Sequence, residues 1–174
     1  MACNRLSMRL WMMSMGNKFN NEHHVMKSDV WLTPPHILTS LGPFDLDPCS
    51  PIDRPWDTAD RHYTIEDDGL TSPWMGRVWM NPPYGPAMGK WMKRLADHGD
   101  GIALVFARTE TKAFFEQVWP RADALFFLRG RLRFCNELGE AQDNAGSPSV
   151  LIAFGSRNVR ALEICGLDGK LVYL

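Results

Sequence analysis

The chain has 174 residues, which suits one domain with a core large enough to need no disulfide or metal staple. Hydrophobic residues make up 45% and charged residues 22%, which excludes a disordered tail, and no run of roughly 18 apolar residues offers a membrane span. The net charge of -1, taken alone, argues against a protein built to coat nucleic acid.

Residues 1–27 hold six of the ten methionines, interleaved with Arg, Ser and Asn. They are too broken for a secretory segment and read as a flexible N-terminal extension, leaving the domain to residues 28–174. Cys3, Cys49, Cys135 and Cys165 are far apart with no C-x-x-C pair. Neither a metal site nor a disulfide framework is expected, and a reducing cytoplasm is favoured.

Thr33-Pro34-Pro35 opens a short helix to Leu41, with Thr33 as N-cap and proline in the first turn. Phe44 to Asp47 alternates and reads as a short strand ending in an acid. Residues 48–76 form a long irregular stretch, of the kind that is usually functional. Arg77 to Met80 is a second strand, ending at Asn81. Met88, Trp91, Met92 and Leu95 mark one helical face, and Phe114, Phe115, Val118 and Trp119 another, stopped by Pro120. Trp91 and Trp119 are expected in the core.

Gly101 to Ala107 and Ala124 to Leu128 read as buried strands joined through the second helix, a βαβ unit. Arg131 to Cys135 and Ser149 to Phe154 read as strand segments flanking a polar loop. The expected fold class is α/β, a single domain with an open, mostly parallel sheet and a late antiparallel strand.

The charge is split along the chain. Asp29 to Asp68 carries nine acids and two bases, whereas Arg77 to Arg133 carries ten bases and five acids. Either these are ordinary solvated faces, or the acidic half holds a cationic or hydroxyl-rich ligand and the basic half a polyanion.

Asn81-Pro82-Pro83-Tyr84 follows a strand, where open α/β sheets bind ligands. The prolines remove two N–H donors and leave carbonyl oxygens, an amide and an aromatic face. Such a set can grip a planar group with an exocyclic amine: the Asn81 oxygen accepts one N–H, the Pro82 carbonyl the other, and Tyr84 stacks on the ring. Two acceptors pulling on that amine localise its lone pair, which favours the transition state of methyl transfer. By itself the tetrapeptide is also compatible with a tight polar turn.

Seven segments in one order carry a resemblance. They are Trp31-Leu32-Thr33-Pro34, Asp45-Leu46-Asp47-Pro48-Cys49, Asp67-Asp68-Gly69-Leu70, Trp79 to Gly85, Ala107 to Lys112, Arg129 to Phe134 and Ser147-Pro148-Ser149. Over about Asp29 to Phe154 the chain resembles the phage-type DNA N6-adenine methyltransferases, the Dam-like family. The resemblance implies a Rossmann-like methyltransferase fold, S-adenosylmethionine as methyl donor, adenine in DNA as target, and a phage or restriction-modification setting in a bacterial cytoplasm.

The resemblance also implies roles. Asn81, Pro82, Pro83 and Tyr84 would be catalytic. Trp31, Thr33, Pro34, Asp45, Asp47, Pro48, Cys49, Asp68, Gly69 and Leu70 would hold the donor, although the glycines usual in the Asp-Pro-x-x-Gly loop are absent here. Trp31, Trp74 and Trp79 would supply aromatic walls. Arg108, Lys112, Arg129, Arg131 and Arg133 would neutralise DNA phosphates, the last three sharing one face if their segment is a strand. The length leaves no room for a separate recognition domain, so any sequence preference would come from short loops, and the target base would be flipped into the Tyr84 pocket. Two alternatives remain open at this level: methylation of a glutamine side-chain amide, and a non-catalytic DNA-binding module with a degenerate donor site.

Overall fold

A computed structural model describes residues 31–174; the proposed extension lies outside the described residues. Helix α1, Pro35–Leu41, buries Ile37, Leu38 and Leu41. Its N-cap is Pro34 rather than Thr33, and the Thr33 hydroxyl is buried without a partner among the described residues. The sheet strands are β1 (Leu46–Asp47), β2 (Arg61–His62), β3 (Val78–Met80), β4 (Gly101–Phe106), β5 (Ala124–Leu128), β6 (Ser149–Phe154) and β7 (Gly169–Tyr173). Helix α2 spans Met88–His98, and helix α3 spans Ser156–Ile164.

The seven strands lie in the order β2-β1-β3-β4-β6-β5-β7. Strands β2, β1, β3 and β4 run parallel, whereas β6 is antiparallel to both β4 and β5, and β7 is antiparallel to β5. The sheet is therefore mixed, not mostly parallel. The cause is β6, which is buried at all six positions and so needs neighbours on both edges. It matches β4 residue for residue, from Gly101 opposite Phe154 to Phe106 opposite Ser149. Strand β5 still runs in the direction of β4, but as a second neighbour.

Alternation along the strands divides the core between the two sheet faces. Val78, Met80, Ala103, Val105 and Ile152 pack with Trp91, Met92 and Leu95 of α2. Trp79, Ile102, Leu104 and Leu151 pack with α1 and with Leu162 of α3.

Two local expectations fail. The second predicted helix contains a π-helical turn, Phe114–Val118, in which Trp119 N–H reaches the Phe114 carbonyl at 3.0 Å. Only Phe114 and Val118 of its four apolar residues are buried, and Trp119 is exposed rather than core. Arg131 to Cys135 is not a sheet strand. It forms one arm of a narrow hairpin, with Ala145 N–H on the Leu132 carbonyl and Gln142 N–H on the Phe134 carbonyl. Phe134, Cys135 and Ala145 are its buried anchors, and Cys135 exchanges both backbone hydrogen bonds with Leu32 at 2.9 Å. The alternation of arginines there reflects no strand face.

Helix α3 and strand β7 lie beyond the last predicted strand. No helix among the described residues is long and apolar enough to cross a membrane. The carboxyl ends of β1 to β5 and the start of β6 share one edge of the sheet, which brings Asp47, His62, Asn81, Arg108, Arg129 and Ser149 to the same end of the molecule.

Candidate active site

A cavity of about 750 Å³ opens at that edge. The strand ends build it. Strand β3 is buried at all three positions, so the chain leaves the sheet at Asn81 with its direction set. Pro82 is buried, Pro83 is exposed, and all four residues from Asn81 to Tyr84 line the cavity.

Asn81 Nδ2 donates to the Trp31 carbonyl at 2.6 Å. That bond orients the amide and turns its Oδ1 the other way, where it is buried with no partner among the described residues. Six buried side-chain polar atoms lack partners there, and four of them belong to cavity-lining residues: Thr33 Oγ1, Trp79 Nε1, Asn81 Oδ1 and the Tyr84 hydroxyl. A buried polar atom without a partner costs stability unless a ligand satisfies it, so their concentration at one cavity marks a binding site.

Asp47, at the end of β1, is the buried charged group of the cavity wall. Its carboxylate accepts the Cys49 N–H at 3.1 Å and the Thr58 hydroxyl at 2.5 Å. Burial pushes its pKa up to about 6, with the Thr58 and Cys49 hydrogen bonds opposing. The neighbouring Cys49 thiol is pushed up by burial and by the Asp47 charge.

Of the residues expected to hold a donor, Trp31, Thr33, Asp47, Pro48, Cys49, Asp68 and Gly69 line this cavity. Asp68 is exposed, with a positive φ of 48°. Gly69 fits because its α-carbon lies against the Pro48 carbonyl, where a β-carbon would overlap. Pro34, Asp45 and Leu70 stand apart from the lining. Pro34 caps α1, and Leu70 packs on the core. Asp45 accepts the Arg77 backbone N–H at 2.5 Å, which makes it a structural acid.

Trp74 is likewise not a wall. It donates to the Gly69 carbonyl at 2.7 Å and stacks on Trp91. Trp91, expected only in the core, contributes to the cavity, as do Thr58 and Ile65. The sequence carried no signal for these beyond their place in the irregular stretch and on the buried face of α2.

The Tyr84 ring stacks on Phe106, with centroids 4.3 Å apart and planes at 20°. Burial pushes its phenol above the ordinary range. Tyr84 also lines a second cavity of about 780 Å³, together with Phe106, Lys90, Lys93, Arg108 and Lys112. The five expected phosphate-binding residues are all exposed at the carboxyl edge, but they do not form one face. Arg108 and Lys112 belong to the second cavity, Lys112 standing 3.6 Å from Glu116. Arg129 pairs with Asp168 at 3.4 Å, and Arg133 donates to the Gln142 carbonyl at 2.9 Å. Among the described residues no three His, Cys, Asp or Glu side chains group as metal ligands.

The model of the family described as DNA N-6-adenine-methyltransferase (Dam) matches residues 20–164, most of the chain. No curated protein and no solved structure matches it.

Proposed function

The chain belongs to the DNA N-6-adenine-methyltransferase (Dam) family, and from that premise we propose that it methylates the N6 amine of a DNA adenine flipped into the Asn81-Pro82-Pro83-Tyr84 pocket. The family implies methyl transfer, with S-adenosylmethionine as donor and DNA as substrate. The observation that carries the finer reading is the Asn81 amide, whose N–H is committed to the Trp31 carbonyl while its buried oxygen has no partner among the described residues.

The strand order supports a Rossmann-like methyltransferase fold. Four adjacent parallel strands end at the edge where the cavity opens, and one antiparallel strand is inserted before the last strand of that direction. The residues of the cavity fit the donor. The buried Asp47 carboxylate suits an ammonium or ribose hydroxyls, the unpartnered Thr33 hydroxyl and Trp79 N–H offer further polar contacts, and Pro48, Ile65 and Trp91 supply apolar wall. When bound, S-adenosylmethionine supplies an electrophilic methyl group on a sulfonium.

The chain's own work is on the amine. Asn81 Oδ1 accepts one N–H, the Pro82 carbonyl accepts the other, and the nitrogen lone pair is drawn out of conjugation with the purine. Tyr84, braced by Phe106, offers an aromatic surface to the base. No strong base is needed, because the proton leaves for water after the nitrogen has been alkylated. The proposed setting is a bacterial host cytoplasm, where DNA and donor are both present.

Tritiated S-adenosylmethionine with adenine-containing duplex DNA tests the reading, and label recovered as N6-methyladenine supports it. Label on protein glutamine instead of DNA would replace it with amide methylation. Absence of S-adenosylhomocysteine binding by calorimetry would reduce the chain to a binding module.

A further inference from the structure

The register of the first two strands sets Asp47 directly opposite His62, and Tyr63 N–H donates to the Asp47 carbonyl at 2.8 Å. The His62 side chain is itself nearly buried. Its Nε2 receives the backbone N–H of Thr58 at 3.1 Å and that of Ala59 at 3.3 Å. Nε2 faces two N–H donors and Nδ1 faces one, from Arg54 at 3.2 Å, so the ring is neutral and keeps its lone pair on Nε2, where the greater number of donors can use it. The Thr58 hydroxyl, held in place by that turn, donates to Asp47 Oδ2 at 2.5 Å. A continuous chain therefore runs from the imidazole through Thr58 to the acid of the cavity wall.

We propose that His62 is a positioning residue for the donor site: its unprotonated Nε2 holds Thr58 over Asp47, and protonation of the ring releases that support and weakens donor binding. The inference rests on the reading of Asp47 as a donor-binding acid.

The charges around the ring favour its neutral state. A second proton would point an Nε2–H at two backbone N–H groups, while Arg54 Nη2 lies 3.2 Å from Nδ1. The facing carboxylates are Asp57, 3.8 Å from Nε2 and mostly exposed, and Asp47 beyond Thr58. Burial and the Arg54 charge lower the His62 pKa, against a smaller opposing effect of Asp57. Release of Thr58 removes one of the hydrogen bonds that stabilise the charged Asp47. Acidification thus acts twice on the donor site, on its support and on its charge.

Calorimetry with S-adenosylhomocysteine on the full chain, across pH, tests this. His62→Leu and Thr58→Val are each expected to weaken binding about tenfold at about pH 8, the loss expected for one hydrogen bond to a charged group. Thr58→Ser, which keeps the hydroxyl, is expected to recover most of the affinity. His62→Gln, which keeps an acceptor without titrating, is expected to recover it too and to show a shallower loss of affinity on acidification. Circular dichroism melting identifies a variant that has merely unfolded, and the two rescue variants then decide the matter. His62→Leu and Thr58→Val binding within about twofold of the wild type, with its pH profile, would overturn the inference while leaving the donor site standing. A wild-type chain that binds no S-adenosylhomocysteine would overturn the donor reading itself.

Discussion

Gly69 packs its α-carbon against the Pro48 carbonyl so closely that a β-carbon would overlap the carbonyl oxygen, with the Trp91 ring 3.2 Å away. Its own carbonyl is held by Trp74 Nε1 at 2.7 Å. The obstructing atoms are backbone and ring, not the free end of a flexible side chain, so an added methyl group must push two cavity walls apart. Gly69→Ala is expected to cost about 1–3 kcal/mol of stability and to weaken S-adenosylhomocysteine binding. Urea unfolding and calorimetry measure the two, and an unchanged midpoint with unchanged affinity would refute the close fit.

Asp47 imposes a stability cost on the fold. Its carboxyl titrates at about 6 rather than at 3.8, because burial disfavours the charge more than its hydrogen bonds restore it. A raised folded-state pKa contributes stability that is present below the unfolded value and lost as pH rises through about 6. Asp47→Asn escapes that loss. It is expected to be about 1–3 kcal/mol more stable than the wild type at about pH 8, to lose that advantage as the pH falls below about 4, and to bind donor poorly. Urea titrations at both ends of the range check the sign.

Asn81→Ala removes the free oxygen and the bond to Trp31 together. Methyl transfer to DNA at saturating donor is expected to fall by a factor on the order of 10²–10³, the usual loss for one preorganised polar group acting on the transition state. Cooperative melting is expected to persist, because Asn81 is only half-buried and lies outside the strand ladder. A wild-type turnover rate in this variant would remove the proposed chemistry.

The Tyr84 hydroxyl is buried without a partner among the described residues. Tyr84→Phe is therefore expected to gain about 1 kcal/mol of stability and to keep its ring on Phe106. Tyr84→Ala removes the aromatic surface and is expected to lose about 1–3 kcal/mol of base binding. Fluorescence of 2-aminopurine at the target position separates the two variants.

Arg131 is exposed, whereas Arg129 is engaged with Asp168 and Arg133 with Gln142. If Arg131 meets a phosphate, Arg131→Ala reduces the slope of log affinity against log salt by about 0.9. Arg129→Ala is expected to change it less, since Asp168 already balances that charge. Filter binding of duplex DNA over a salt series measures both.

The sequence made some of this legible and hid the rest for physical reasons. Strands β4, β5 and β6 announce themselves as apolar runs because each is mostly buried on both faces. Asn81 to Tyr84 stands out because it follows a strand and stands in order with six other segments of the resemblance. Strand β2 has no such signature: Arg61 and His62 are a strand only because Asp47 and Leu46 offer them backbone partners. The insertion of β6 between β4 and β5 is a choice among neighbours that no periodicity encodes. Arg131 and Arg133 alternate like strand residues, yet their backbone bonds go to a hairpin partner. His62 and Thr58 are single polar residues in an irregular stretch, and only the fold shows that they meet Asp47.

The bond between Asn81 and Trp31 separates folding from chemistry along the chain. Among the described residues, every strand of the sheet and all but one residue of the buried apolar core lie at or beyond Pro35. The carbonyl that aims the Asn81 amide lies before it. A chain shortened to begin at Pro35 would keep every described strand of the sheet, lose the Leu32–Cys135 backbone pair and let that amide swing freely, so its activity is expected to fall further than its stability. For engineering, Trp31, four residues ahead of the first helix, counts as part of the reactive centre.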